Sequence, residues 1–96
     1  MEKVGFVYIM TNNLRTTLYI GVTSQLRARI YKHKTGFYQN SFSSKYNLFN
    51  LVYYQKFSTI IAAIAFEKKL KSGSREKKLS LIQSINPDWR DLYDDL

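Results

Sequence analysis

The side chains able to do chemistry are few here, and their scarcity narrows the reaction. The 96 residues contain no cysteine and a single histidine, His33. That removes thiol nucleophiles, zinc ribbons, disulfide frameworks and any site built on several imidazoles of one chain. The acids are Glu2, Glu67, Glu76, Asp88, Asp91, Asp94 and Asp95, and four of them fall in the last nine residues. Two-metal hydrolysis gathers several carboxylates, which the three acids of residues 1–87 cannot supply. What remains is chemistry shared among tyrosine, arginine, one histidine and one carboxylate.

Glu67 is that carboxylate. It lies seven residues after Ile60, four after Ala63 and three after Ile64, so it borders the apolar face of a helix, where an unpaired carboxylate is costly. Two readings stand. It is a border residue paired with one of Lys68, Lys69 and Lys71, or it is a ligand for a hard divalent cation, which prefers oxygen donors. Leu26, Ile30 and His33 share one face of an earlier helix, with Arg29 one turn before His33. Arg29 and His33 are either structural residues of that face or a phosphate clamp and a proton-transfer group. Tyr8 and Tyr19 lie on two adjacent strands, where half-buried aromatics are the ordinary occupants.

The charge points to a polyanion. Against 15 Lys and Arg stand 7 Asp and Glu, a net of +8. The acidic tail, 88–96, masks the rest: residues 1–87 carry 14 basic and 3 acidic side chains, a balance of +11. This charge is interleaved with Tyr and Phe at 14 positions, a combination suited to phosphate backbones and stacked bases. The longest apolar run, Ile60–Phe66, has seven residues, far short of the roughly 20 of a membrane helix. With no leader-like N-terminus, the expected location is cytoplasmic and no membrane partner is expected.

The elements that must position these residues follow from local pattern. Residues 5–10 are β-branched and aromatic, a strand; Thr11-Asn12-Asn13 turns the chain; residues 16–22 form the second strand of a hairpin. Thr23 or Ser24 caps a helix to about Lys34, which Gly36 ends. Residues 37–47 form a long loop whose Phe37, Tyr38 and Phe42 could stack on bases. Leu48–Phe57 is a third strand. Ser58 or Thr59 caps a helix to about Lys71, Ser72-Gly73 breaks it, and Ser74 opens a last helix to about Ser84. Asn86-Pro87-Asp88 is a turn, and Trp89, Leu92 and Tyr93 pack back on the body. The expectation is one α+β domain over 1–96, a three-stranded antiparallel sheet flanked by helices in the order β-β-α-β-α-α.

In order, these residues match a pattern. Phe6-Val7-Tyr8, ten intervening residues and Tyr19-Ile20-Gly21 resemble the paired signature of the GIY-YIG nuclease superfamily. The stretch from Thr23 to His33 is similar to that family's first helix, whose Arg and following His or Tyr face the site. Glu67, in Ala65-Phe66-Glu67-Lys68-Lys69-Leu70-Lys71, resembles its metal-binding glutamate, and the segment from Asn86 to Leu92 resembles the ending of small stand-alone members. Two departures stand out. The Gly-Ile of the first motif is Phe6-Val7, and the lysine that excision-repair members often carry after the second motif is missing from Val22-Thr23-Ser24.

The resemblance implies metal-dependent hydrolysis of DNA phosphodiesters with low sequence specificity, in repair or processing, using one Mg²⁺ or Mn²⁺ on Glu67. Tyr8 is the first choice to take the proton of the attacking water. A tyrosine pKa near 10 makes that a poor base unless a cation or metal lowers it, a role for Arg29, which would also neutralise phosphate charge. Tyr19 would orient water or phosphate, and His33 would relay the proton with an unperturbed pKa near 6.5. Gly21 supports the second motif, and Asn86 would hold the Glu67 region or a phosphate oxygen. Arg27, Lys32, Lys34, Lys45, Lys56, Lys68, Lys69 and Lys71 are the expected nucleic-acid contacts. RNA is the alternative to DNA, and a protein partner could supply targeting. The competing reading is a catalytically idle nucleic-acid-binding or partner-dependent module, which the charge alone would explain.

Overall fold

β-Branched and aromatic residues build a sheet from strands β1 (Gly5–Thr11), β2 (Leu18–Thr23) and β3 (Asn50–Phe57). Helix α1 (Leu26–Lys34) follows β2, and α2 (Ile60–Ser72) and α3 (Arg75–Ile85) follow β3, before a short 3₁₀ turn at Tyr93–Asp95. The computed structural model describes residues 3–35 and 46–96. The sheet is antiparallel throughout, in the order β2-β1-β3. Fold class and element order are those the sequence predicts.

Because β1 is central, both of its faces are covered, and its alternating side chains divide the core in two. Val7 and Ile9 join Ile20, Val52, Ala63, Leu70 and Ile82 on the face covered by α2 and α3. Tyr8 and Met10 join Leu26, Ile30, Leu48, Leu51 and Leu92 on the face covered by α1 and the C-terminal tail. Helix α2 approaches β1 closely at Gly5. A Cβ there would lie 2.6 Å from that of Ala63 and 2.9 Å from Cα of Ile60, so a larger residue would push the helix off the strand.

Boundaries moved where backbone hydrogen bonds found other partners. Helix α1 starts later than expected: its N-cap is Gln25, whose side chain makes no cap, while Thr23 Oγ1 accepts from the Gln25 N–H at 3.0 Å. The hydroxyl is spent on a turn ahead of the helix. Thr59 and Ser74 cap as expected, accepting from Ala62 N at 3.1 Å and Lys77 N at 3.3 Å. The hairpin loop is longer than a tight turn. Asn12 holds it through Oδ1, which accepts from Thr16 N at 2.9 Å and Thr17 N at 3.2 Å, and Arg15 takes a left-handed φ of 59°. Gly36, the aromatic loop residues Phe37, Tyr38 and Phe42, and Lys45 lie outside the described residues.

The tail returns along the α1 side of the sheet, as its apolar residues predict. Leu92 is buried and its N–H donates to Leu51 O at 2.8 Å. Asp91 fixes the path: Oδ1 accepts from Leu51 N and Tyr93 N, both at 3.1 Å, and Oδ2 pairs with Lys34.

Candidate active site

The strand register sets the site. Tyr8 pairs with Gly21 on one side and Tyr54 on the other, and Met10 pairs with Tyr19. The Tyr8 ring passes directly over Gly21, where an added Cβ would collide with its Cζ and Oη. The glycine of the second motif is thus the space the tyrosine of the first one occupies. From above, α1 lowers His33 onto the same spot. The Tyr8 hydroxyl hydrogen-bonds His33 Nε2 at 3.1 Å. Ring centroids lie 6.2 Å apart for Tyr8–Tyr19, 5.9 Å for Tyr8–His33 and 5.6 Å for Tyr19–His33. Three of the five expected catalytic side chains therefore form one cluster.

Burial alters two roles expected of that cluster. His33 is pushed down to about 4, first by burial and then by the charge of Arg29. The unperturbed value near 6.5 does not hold, so the ring is neutral at pH 7 and can accept a hydrogen bond from the Tyr8 hydroxyl, but a value near 4 makes it a weak base for the proton relay expected of it. Tyr8 itself has no exposed surface. Its hydroxyl does not meet solvent directly and is bonded to His33, whereas Tyr19 is only half-buried.

Arg29 and Glu67 come from helices on opposite faces of the sheet, and no contact among those described joins Glu67 to the Tyr8–Tyr19–His33 cluster. On α1, Arg27 and Lys34 reach the tail and the residues before β3, so Arg29, on the other flank of the buried stripe, is turned toward β2. Arg29 is half-buried there. On α2, which packs across β1 and β2, Phe66 stacks against Phe57 of β3 with centroids 5.2 Å apart. Glu67 lies on the opposite flank, toward β2. Its side chain is 13% exposed, and the carboxylate pairs with Lys71 Nζ at 3.1 Å, which selects Lys71 among the candidate lysines. Among the described residues no three acids, histidines or cysteines gather as a metal cage. A lone carboxylate still fits Mg²⁺, which keeps most of its waters and binds through one or two carboxylates plus substrate phosphate.

The other expected residues divide. Asn86 serves the fold: its Nδ2 donates to Val52 O at 3.1 Å and Arg90 O at 2.8 Å, and its Oδ1 accepts from Arg90 N at 3.2 Å. Both amide N–H groups are thereby spent, and neither is left for a phosphate oxygen. Lys34, expected on nucleic acid, is engaged internally with Asp91, with Phe49 O at 2.9 Å and over the Tyr93 ring. Arg27 is exposed but tied to Leu96 O at 2.7 Å and to Tyr93. Lys32, Lys56, Lys68, Lys69 and Lys71 are exposed. Asp91 was absent from the expected set. The spacing of Asp91 and Tyr93, an acid accepting from the N–H two residues on, is the signal that would have revealed it.

The profile of the GIY-YIG catalytic domain matches residues 4–80. The chain belongs to the GIY-YIG family. Its fold resembles the solution NMR structure of the UPF0213 protein BH0048 from Bacillus halodurans, with 26% sequence identity, a TM-score of 0.58 and 92% of each chain covered. None of the curated proteins is a match. Membership makes nuclease-type phosphodiester chemistry the function of this domain class, and the Tyr8–Tyr19–His33 cluster is where both signature motifs meet in this member. No helix among the described residues is long and apolar enough to cross a membrane.

Proposed function

We propose that the protein is a metal-dependent endonuclease of low sequence specificity acting on DNA, and that the reaction runs at the β2 edge. The observation that carries this reading is the Tyr8–His33 hydrogen bond at 3.1 Å, made over Gly21 and beside Tyr19, with burial and then Arg29 lowering the His33 pKa. The neutral imidazole so formed fixes the buried phenol by a hydrogen bond and, with a pKa near 4, orients it rather than storing a proton. Tyr19, within reach of water, orients the nucleophile. Arg29 neutralises charge on the phosphate as it becomes pentavalent. Tyr19, the half-buried member of the cluster, would pass the proton of the attacking water to solvent, while Tyr8 and His33 hold its ring in place. Glu67 would hold one Mg²⁺ or Mn²⁺, which when bound supplies Lewis acidity and stabilises the leaving oxygen. Lys68 and Lys69, exposed on the same helix as Glu67, would meet the flanking phosphates.

A panel of branched, flapped and nicked DNA with Mg²⁺ or Mn²⁺ tests the proposal. The expected result is cleavage that falls at least about a hundredfold in Glu67→Ala, with an unchanged circular dichroism spectrum and melting temperature. Nicking that needs no metal and persists in both Glu67→Ala and Arg29→Ala would overturn it. The Lys71–Glu67 pair favours one second reading, an idle binding module whose carboxylate is already neutralised. Salt-sensitive DNA binding without turnover on any substrate would establish that reading instead.

A further inference from the structure

Beyond the candidate active site, a large cavity lies on the opposite flank of α1. It is an open groove of about 1100 Å³ between α1, the β3 edge and the C-terminal tail. That exceeds the roughly 300–1,000 Å³ of small-molecule pockets, and its openness suits a chain rather than a compact ligand. Phe6, Tyr31 and Tyr54 present rings to it, and Tyr93 walls the tail side. The Tyr31 side is 57% exposed. Tyr93 already carries Arg27 and Lys34 over its ring, so Tyr31, Tyr54 and Phe6 are the surfaces left for stacking.

The groove's charge selects its occupant. Lys32 and Lys56 line it, with Arg27 at its tail end held by the Leu96 O, and the one acidic side chain among the lining residues, Asp95, is bonded to Arg90 at 2.6 Å. An apolar peptide would bring no charge to the lysines, and in a second copy Asp91 and Asp95 of the acidic tail are already paired with Lys34 and Arg90. A duplex would bring phosphates but hide the faces of its bases. Unpaired nucleotides supply both at once, bases for the rings and phosphates for the cations.

We propose that this groove binds unpaired nucleotides of the substrate, with bases stacked on Tyr31 and Tyr54 and phosphates on Lys32 and Lys56. The inference rests on the nucleic-acid reading above and deepens it: the favoured substrate has a single-stranded segment next to the bond to be cut. In register Tyr54 is the direct neighbour of Tyr8, so a strand in the groove runs beside the Tyr8–His33 pair with α1 between the two sites.

Fluorescence anisotropy in EDTA tests this without any dependence on cleavage. The probes are a labelled twelve-nucleotide oligo-dT and a labelled duplex of the same length. Tyr31→Ala, a substitution at an exposed position, should weaken oligo-dT binding about tenfold and duplex binding less than twofold. Lys56→Gln should weaken both and reduce the salt slope by about one. Unchanged oligo-dT affinity in Tyr31→Ala overturns the groove, whatever the nuclease does. So does a sedimentation-velocity dimer that Tyr31→Ala dissociates, since the occupant is then a second copy. If Glu67→Ala and wild type alike cleave nothing while oligo-dT binding keeps its Tyr31 dependence, the groove stands and the nuclease reading falls. A wild type that binds neither probe overturns both.

Discussion

The two flanks of α1 carry the same kinds of residue and put them to different uses. On one, Arg27 and Lys34 turn to the tail, where Asp91, Tyr93 and the Leu96 carbonyl receive them. On the other, Arg29 and His33 turn to β2, where His33 meets the Tyr8 hydroxyl and Arg29 shapes its charge state. Basic residues one or two positions apart on a single helix thus divide between holding the fold and building a site. The difference lies in what faces them. The tail flank faces carboxylate and carbonyl oxygens that satisfy each cation, and the β2 flank faces two phenols that leave Arg29 without a carboxylate partner among the contacts described.

The sharpest way to break the β2 flank leaves its charged residues untouched. Gly21→Ala places a methyl where the tip of the Tyr8 ring now sits. Tyr8 is fully buried between sheet and helix and cannot give way cheaply. Such overpacking is expected to cost about 3 kcal/mol, read as an early urea midpoint, and to displace the hydroxyl from His33. If Gly21→Ala melts like wild type, the ring has room that the geometry denies, and the pairing of the two motifs is looser than argued here.

This dependence shows what the sequence made legible. Arg29, His33 and Glu67 stand out through helix spacing and the scarcity of histidine and carboxylate, whereas Tyr8 and Tyr19, two of eight tyrosines, are singled out by the resemblance to the paired GIY-YIG signature. Their helix and strand assignments follow from the helix and strand periods. Three things could not be read. The split of α1 into two flanks depends on which side the tail docks, a contact 57 residues away between Lys34 and Asp91. The depression of the His33 pKa depends on burial that only packing creates. The late start of α1 depends on Thr23 Oγ1 choosing the Gln25 N–H, a local competition among hydroxyl partners that propensity does not decide.

The His33 environment gives the next effect a sign. In the unfolded chain the imidazole titrates near its ordinary 6.5, and in the fold near 4. As pH falls below 6.5 the unfolded state binds the proton first, so the contribution present in full above 6.5 is lost progressively toward pH 4 and does not change below it. The loss is of the order of 2 kcal/mol by pH 4.5. Urea titrations of wild type and His33→Gln across pH 4–7 isolate it from the carboxylates. The difference between the two curves should slope through that window and flatten above it. A difference curve flat throughout would mean that His33 is solvated, and its packing onto the Tyr8 hydroxyl would not hold.

The smallest effect tests whether the flanks are separable at all. Asp91→Asn keeps an oxygen for the N–H groups of Leu51 and Tyr93 but removes the charge opposite Lys34. The pair is about a quarter to a third exposed, 24% on Lys34 and 33% on Asp91, so solvent screens much of its attraction. A loss of about 1 kcal/mol is expected, smaller still at high salt because the contribution is ionic. Cleavage of a nicked duplex should stay within about twofold of wild type, because nothing on the β2 flank contacts the tail in the hydrogen bonds and ring contacts described. The two sides are nonetheless joined by one rigid rod: α1 is nine residues long, and Lys34 adjoins His33. Should Asp91→Asn silence cleavage while melting within 1 kcal/mol of wild type, the tail does more than close the core. It would then set the rotation of α1, and the hydrogen bond between Tyr8 and His33 would depend on a contact made by the opposite flank.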